Sequence, residues 1–484
     1  MRLEILSSDE IDDIHEATLR VLEETGVKVL DPHAFELLRD AGSEVDLKTS
    51  VVKIPEHVLK EGIRKAPSSF TLFGREKDYR LKFEPGRTYF SSQGSSSFVL
   101  DLETGVRRRS TLNDLKSFYV LVDASDNIDH ASWVVSADDL PEYAGPAREL
   151  LEAFRNTTKT VDGDTYGEKN ARDSIEMASI IAGGENELRK YPRLLGFVNP
   201  VSPLEHSKLM TEGLRVFAQY EQPTSIAPEA QGGATAPVTL AGILVQQNVE
   251  VLSGILISQL THPGAPVLYG TVSTIADMKT GNVALGAVET GLINIATAQL
   301  AKCYGLPTRG TGGATNAKVP DIQAGYEKAL TLSIAAMAGI NFIYDAAGML
   351  EASRTASFEQ IVLDNELCGM VLRSIHGIDV NEETMATEVI KNVGPGGHFL
   401  SQKHTLDYFT MEHYLPTILD RSTWETWQKN GSKEIRATAR ETARKILREH
   451  KAEPLEKTVD RELEALVKKI DSECSQETPA RNST

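Results

Sequence analysis

The sequence predicts an α/β chain folded as a (β/α)8 TIM barrel, with an N-terminal α/β cap and C-terminal helices. Three observations carry this. From Thr88 to about Asp345, short apolar or β-branched runs that end in polar or Gly residues alternate with longer amphipathic segments. Such alternation implies parallel βαβ units with right-handed crossovers. Eight runs can be marked: Thr88–Ser92, Ile128–Ser136, Thr157–Asp162, Leu194–Asn199, Pro223–Ala227, Pro266–Thr271, Leu306–Gly310 and Asn341–Asp345. Together they occupy about 250 residues, the size of such a barrel.

The elements follow in order. Ser8 precedes Ile11, Ile14, Thr18, Val21 and Leu22 at helical spacing, and Gly26 supplies a stop. His15 in this helix reads as a solvated or capping residue. Short helices and a strand, Ser50–Ile54, complete a cap over residues 1–72, and the barrel domain takes residues 73–422. Within it Leu240–Leu260, Val283–Tyr304 and Ile322–Gly339 are strong helices. Two charged amphipathic helices, Thr423–His450 and Pro454–Asp471, form a C-terminal unit over 423–471. Their apolar stripes should dock on the barrel or on a second subunit. The polar tail, 472–484, should fray.

Composition narrows the function. The chain has 484 residues, and 69 acidic against 51 basic side chains give a net charge of −18. Nucleic acid and anionic membrane surfaces both need a basic face, so neither is an expected partner. The longest uncharged stretch, Val251–Ala276, is cut by His262-Pro263-Gly264-Ala265-Pro266 and reads as a buried helix and a strand. The N-terminus lacks a basic region followed by an apolar one, so no secretory signal is expected. Cys303, Cys368 and Cys474 lie far apart, which argues against a disulfide framework or a thiolate zinc site and suits a reducing cytoplasm. No His/Asp/Glu triplet shows metal-ligand spacing, so no bound metal is expected.

In a barrel the chemistry sits where the strands end. That rule nominates Glu229 and Gln231 after strand five, Tyr269 and Thr271 with Asp277 at strand six, and Tyr344-Asp345 at strand eight. Asp345 closes an apolar strand, so its charge must reach the mouth or a partner. Gly310–Asn316 after strand seven could cradle a phosphate or a flat cofactor, or simply turn the chain; it lacks a P-loop ending and a dinucleotide spacing. His398 and His404 flank or follow the Gly-rich turn Gly394–Gly397 and read as structural. No nucleophile elbow is present. The residues alone describe a barrel enzyme of open reaction.

Longer motifs carry a resemblance. They run from Asp31–Pro55 through Phe73-Gly74-Arg75, Asn127-Ile128-Asp129, Ser202-Pro203-Leu204 and Gly232-Gly233. They are densest at Asn248–Gly254, Tyr304–Pro307 and Ala317–Lys328, and extend through Gly348–Glu351 and Phe358–Asp364. Over about residues 5–470 the chain resembles the trimethylamine:corrinoid methyltransferase family. The resemblance implies a barrel enzyme that passes a methyl group from a methylated amine to the cob(I)amide of a separate corrinoid protein. Founding members carry pyrrolysine before a Ser/Thr-Asp/Asn-Ala-Lys-Val-Pro stretch; here that stretch is Thr315–Pro320, preceded by Ala314.

That departure implies the substrate. Demethylated trimethylamine would leave as an amide anion, and the imine of pyrrolysine can relieve this where an alanine methyl cannot. A quaternary amine is already cationic and departs as a neutral tertiary amine. Ala314 therefore points to a quaternary ammonium, glycine betaine first, with carnitine or proline betaine next. Tyr89, Phe90, Tyr269 and Tyr344 are expected to give aromatic faces to the cation, and Glu229 or Asp345 a carboxylate. His398, Gln93 or Arg309 would read a substrate carboxylate. Small Gly312, Gly313 and Ala314, with Thr315 and Asn316, would admit the corrin ring of a partner-borne cobalamin. A homo-oligomer is expected. A barrel lyase or hydrolase using Glu229 and Asp345, and a non-catalytic quaternary-amine binder, are the alternatives.

Overall fold

A computed structural model describes residues 3–140 and 145–477. Eight parallel strands close a barrel in chain order: β1 Tyr89–Ser92, β2 His130–Ala131, β3 Thr160–Gly163, β4 Leu194–Val198, β5 Thr224–Ile226, β6 Val267–Gly270, β7 Thr308–Thr311 and β8 Phe342–Ala347. The ring closes where β8 pairs with β1, Phe342 opposite Tyr89 and Ile343 opposite Phe90. Every expected run overlaps a strand. Ile128–Ser136 yields only two paired residues, because the chain then peels away into the mouth, where Val135 bridges Ser96.

A helix follows each strand: α1 Leu112–Asp123, α2 Gly145–Asn156, α3 Glu168–Ala182, α4 Lys208–Gln219, α5 Leu240–Thr261, α6 Val288–Cys303, α7 Ile322–Ala338 and α8 Phe358–His376. By length and apolarity α5 could cross a membrane, but every residue from Gln247 to Gln259 is buried within the protein. Its polar members are satisfied there: Glu250 accepts from Ser202 Oγ and the Leu204 N–H, both at 2.8 Å. A core helix explains this better than a span.

The cap and the barrel are not separable at residue 72. An antiparallel hairpin, Phe70–Phe73 with Arg80–Phe83, straddles that boundary. Its Leu72, Leu81 and Phe83 meet Leu195, Leu268 and Phe342 and plug the N-terminal end of the barrel. The cap sheet also borrows Glu205–His206, from the loop after β4, as a parallel partner of Val27–Val29.

At the C-terminus the single helix expected over 423–450 is broken into Trp424–Lys429 and Ile435–Glu449. Gly431, at φ 97°, turns the chain between them. Ile435–Glu449 docks on the barrel, burying Ala439 and Ala443 and pairing Arg436 and Arg440 with Glu359 of α8. The last helix, Lys457–Glu477, runs past the expected end at 471. The remainder of the expected frayed tail, 478–484, lies outside the described residues. His15 does not cap its helix; Nδ1 stands 3.0 Å from Tyr304 Oη.

Candidate functional site

A cavity of about 530 Å³ opens at the C-terminal ends of the strands, where a barrel places its chemistry. Trp133, Phe197 and Tyr344 contribute aromatic faces. Glu149, Asp162, Asp164, Glu229 and Asp345 contribute five carboxyl groups, and Arg309 is the one Lys or Arg in the lining among the described residues. An imbalance of this size in a concave, partly dry site draws cations.

Asp345 is the most strained of these groups. The register of β8 shifts between Ile343 and Ala347, and Asp345 sits at φ 64°, a left-handed conformation unfavourable to a side chain. It is 3% exposed, and its Oδ1 is buried without a hydrogen-bond partner. Burial pushes its carboxyl group up, against the pull of Arg309 and Lys328. Arg309, one strand away, donates through Nη1 to the Thr271 carbonyl and to Thr311 Oγ1 at 2.9 Å. Its guanidinium lies 4.7 Å from the centre of the Tyr344 ring. The Tyr344 hydroxyl occupies the space a side chain at position 94 would need, so Gly94 is required there.

The other carboxyl groups are held by fixed donors. Asp162 Oδ1 lies 2.6 Å from His130 Nε2, whose other ring nitrogen meets Thr160 Oγ1 at 2.8 Å. Glu149 accepts from the Ala137 N–H at 2.7 Å, and burial pushes it up to about 7. Asp164 accepts from the Tyr166 N–H at 2.6 Å and is pushed up by burial to about 6. Glu229 stands exposed at the rim, where Gln231 Nε2 reaches it at 3.2 Å.

A second cavity, about 580 Å³, shares Glu229 and Ala352 with the first. Thr280, Asn282, Asn316 and Gln323 line it with hydroxyl and amide groups, and Asp277, Lys318, Glu327, Glu351 and Arg354 with charged ones. Among the described residues no group of three or more His, Cys, Asp or Glu is arranged to hold a metal ion.

Of the expected residues, the structure brings Glu229, Asp345, Tyr344 and Arg309 to the first cavity and Asp277 and Asn316 to the second. The rest lie elsewhere. Phe90 and Tyr269 point outward, into the packing between strands and helices, and Tyr269 Oη donates to Asn248 Oδ1 at 2.8 Å. Tyr89 points inward but at the floor, against Phe83 and the Lys82 backbone. Gln93 is buried at the end of β1, its Nε2 3.4 Å from the Val134 carbonyl, outside the cavity lining. His398 is exposed on the segment after α8 and borders neither cavity.

The glycine strip leaves no room for a ring, contrary to expectation. A side chain at Gly312 would meet Ile343 Cγ2 at 2.7 Å, and one at Gly313 the Ala346 backbone at 2.8 Å. Ala314 is buried against Leu285 and Met349, and Thr315 is buried with its hydroxyl on Glu327.

Among the lining residues that escaped the sequence reading are Trp133, Glu149, Asp162, Asp164 and Phe197. Asp162 ends an expected strand, and the strand-end rule would have found it. Glu149 comes from α2 and Trp133 from the loop after β2, where no local pattern marks them.

Comparison with known proteins agrees with this architecture. The trimethylamine methyltransferase family matches residues 1–475. A glycine betaine methyltransferase of Desulfitobacterium hafniense is 35% identical over 98% of both chains. A trimethylamine methyltransferase of Methanosarcina mazei is 39% identical over 97% of this chain and 96% of its own. Among solved structures, the monomethylamine methyltransferase of Methanosarcina barkeri superposes with a TM-score of 0.52 at 12% identity, over 90% of this chain and 97% of its own. A hydroxylamine complex of MtmB gives 0.57 at 12% identity, over 92% and 88%. The structural likeness speaks for the barrel, the sequence likeness for descent, and by the latter the chain belongs to the trimethylamine methyltransferase family.

Proposed function

We propose that this chain moves a methyl group from a quaternary amine to the cobalt of a corrinoid carried by a separate protein, with glycine betaine the first candidate donor. The observation that carries the reading is the chamber itself: aromatic faces of Trp133, Phe197 and Tyr344 around a buried, unpartnered carboxyl oxygen on Asp345. A fixed cation with no proton to give needs such surroundings, ring faces and a nearby negative charge. At position 314 a buried alanine offers no electrophile, and a quaternary amine needs none.

The chain's part is positioning. The aromatic wall excludes water from the ammonium, and Asp345 opposes its charge without bonding covalently. No general acid is required, because the departing tertiary amine is neutral. The second cavity fits the other reactant: Thr280, Asn282, Asn316 and Gln323 match the amides around a corrin rim, and Glu229 and Ala352 form the shared wall. A docked corrin would supply the nucleophile. The proposal includes a homo-oligomer working in the cytoplasm.

The test is anaerobic. Purified protein is mixed with chemically reduced cob(I)alamin and one amine at a time, and the visible spectrum is followed for methylcobalamin. Product with glycine betaine and none with trimethylamine is the expected result. Product with trimethylamine would sink the argument from Ala314. No product with any amine, even with a corrinoid protein present, would favour a lyase or a binder.

A further inference from the structure

Phe73-Gly74-Arg75 leads into the turn of the plugging hairpin, at the N-terminal end of the barrel and opposite the chamber. A separate cavity of about 380 Å³ opens there, between that turn, the end of α3, the entry to β4 and the start of the last helix. Arg75 and Arg193 line it, 7% and 4% exposed. The backbone fixes both: the Arg75 N–H donates to the Thr158 carbonyl at 3.0 Å, and the Phe73 N–H to the Pro192 carbonyl at 2.8 Å. Every acceptor that the two guanidiniums take among the described residues is a backbone carbonyl. Arg75 reaches Phe154 through Nη1 at 3.0 Å and Glu453 through Nη2, and Arg193 reaches Gly74 and Arg75 through Nη1. Two buried charges thus lack a paired carboxylate, and burial pulls both below the ordinary arginine range.

Donors remain for a ligand. Arg193 Nε is buried without a partner, while Arg193 Nη2 and Arg75 Nε have no acceptor among the described residues and stay open to solvent. The last helix starts at the same space, where Glu456 and Val459 line the cavity. Its first turn adds unpaired N–H groups and the positive end of a 21-residue helix. Ile181 and Leu455 supply apolar walls. The acidic lining residues, Glu76, Asp78 and Glu456, are exposed and turned to water at the rim, and Lys77 is paired with Glu187 at 2.7 Å. Planar guanidinium edges beside a helix N-terminus are the surroundings that hold a tetrahedral oxyanion.

We propose that this cavity binds the phosphate group of a small molecule, held between Arg75, Arg193 and the first turn of the last helix. The site lies at the far end of the barrel from the chamber and is independent of the amine reading. A bound phosphate would tie the hairpin, the entry to β4 and the C-terminal helix together, so its effect falls on stability and not on the reacting atoms. A chain of net charge −18 repels anions at long range, so the binding must come from these short contacts.

The experiment is calorimetry on the full chain in chloride at physiological ionic strength, titrating inorganic phosphate and, separately, glycerol 3-phosphate. One-to-one binding with a Kd below about 1 mM is expected for at least one of them, with a matching rise in Tm. Tighter binding of the ester identifies a phosphorylated metabolite as the occupant, and tighter binding of inorganic phosphate identifies the free ion. No saturable binding of either overturns the proposal. Arg193→Gln should weaken phosphate about thirtyfold. Because Arg193 also holds the Gly74 carbonyl, a second variant guards against misfolding. Glu76→Gln removes an exposed charge that both guanidiniums feel, and should tighten phosphate about twofold. Unchanged affinity in a folded Arg193→Gln, or weaker binding in Glu76→Gln, overturns the assignment.

Discussion

At the floor of the barrel Phe342 packs its ring 5.8 Å from that of Phe83, among Leu72, Leu195 and Leu268, all buried. Three residues further along the same strand, Asp345 is buried too, yet its backbone is left-handed and its Oδ1 has no partner. The two ends therefore use burial differently. At the floor it stabilises, because apolar surface leaves water and nothing polar is stranded. At the mouth it costs stability, and the return is a dry, charged chamber for a ligand.

Four experiments would break or sharpen that contrast. The largest effect is expected at the floor. Phe342→Ala should cost about 3–5 kcal/mol in denaturant unfolding through the cavity it opens. A loss below about 1 kcal/mol would mean the plug is not a core.

Next comes Asp345→Asn, the mouth counterpart. It removes a buried charge, so stability should hold or rise, while affinity for a quaternary amine falls about thirtyfold. Stability and affinity falling together would place Asp345 in the scaffold.

The third experiment is a pH series. Glu149 titrates at about 7 and Asp164 at about 6 in the fold, both raised by burial. In an unfolded chain such groups titrate near 4. Between about pH 4 and 7 the folded protein holds protons the unfolded chain has lost, so stability should decline as pH rises through that window. Affinity for a cation should move the other way, rising several-fold from pH 5.5 to 8 as the carboxyl groups ionise. Glu149→Gln should flatten both slopes between about pH 6 and 7, where Asp164 has already lost its proton, and slopes unchanged in that range would clear Glu149.

Glu229→Gln is expected to be mildest, about a twofold loss of amine affinity, since an exposed rim charge is screened by water. A loss as large as that of Asp345→Asn would move the cation from the barrel's interior to its rim.

Much of this was legible in the residues. Each of the eight strands overlaps a marked run, three of them extending one or two residues past its end, and the strand-end rule led to Asp345, Tyr344 and Glu229 at the mouth. The same rule failed for Tyr269, and the aromatic face expected of Phe90 turns the same way. Side chains alternate across a strand, and periodicity alone does not say which of the two faces turns inward once the barrel closes. Tyr89 does face inward but at the wrong end, because it opens β1 and so lies at the N-terminal floor against the plugging hairpin.

The sequence by itself determined the barrel, its order of strands and the family, since these rest on local periodicity and on long motifs. Tertiary structure alone decided that Glu149 from a helix and Trp133 from a loop share a wall with Arg309, and that the glycine strip is packed tight. Those relations join residues far apart in the chain, and they exist only once strand pairing has fixed which neighbours fill each space.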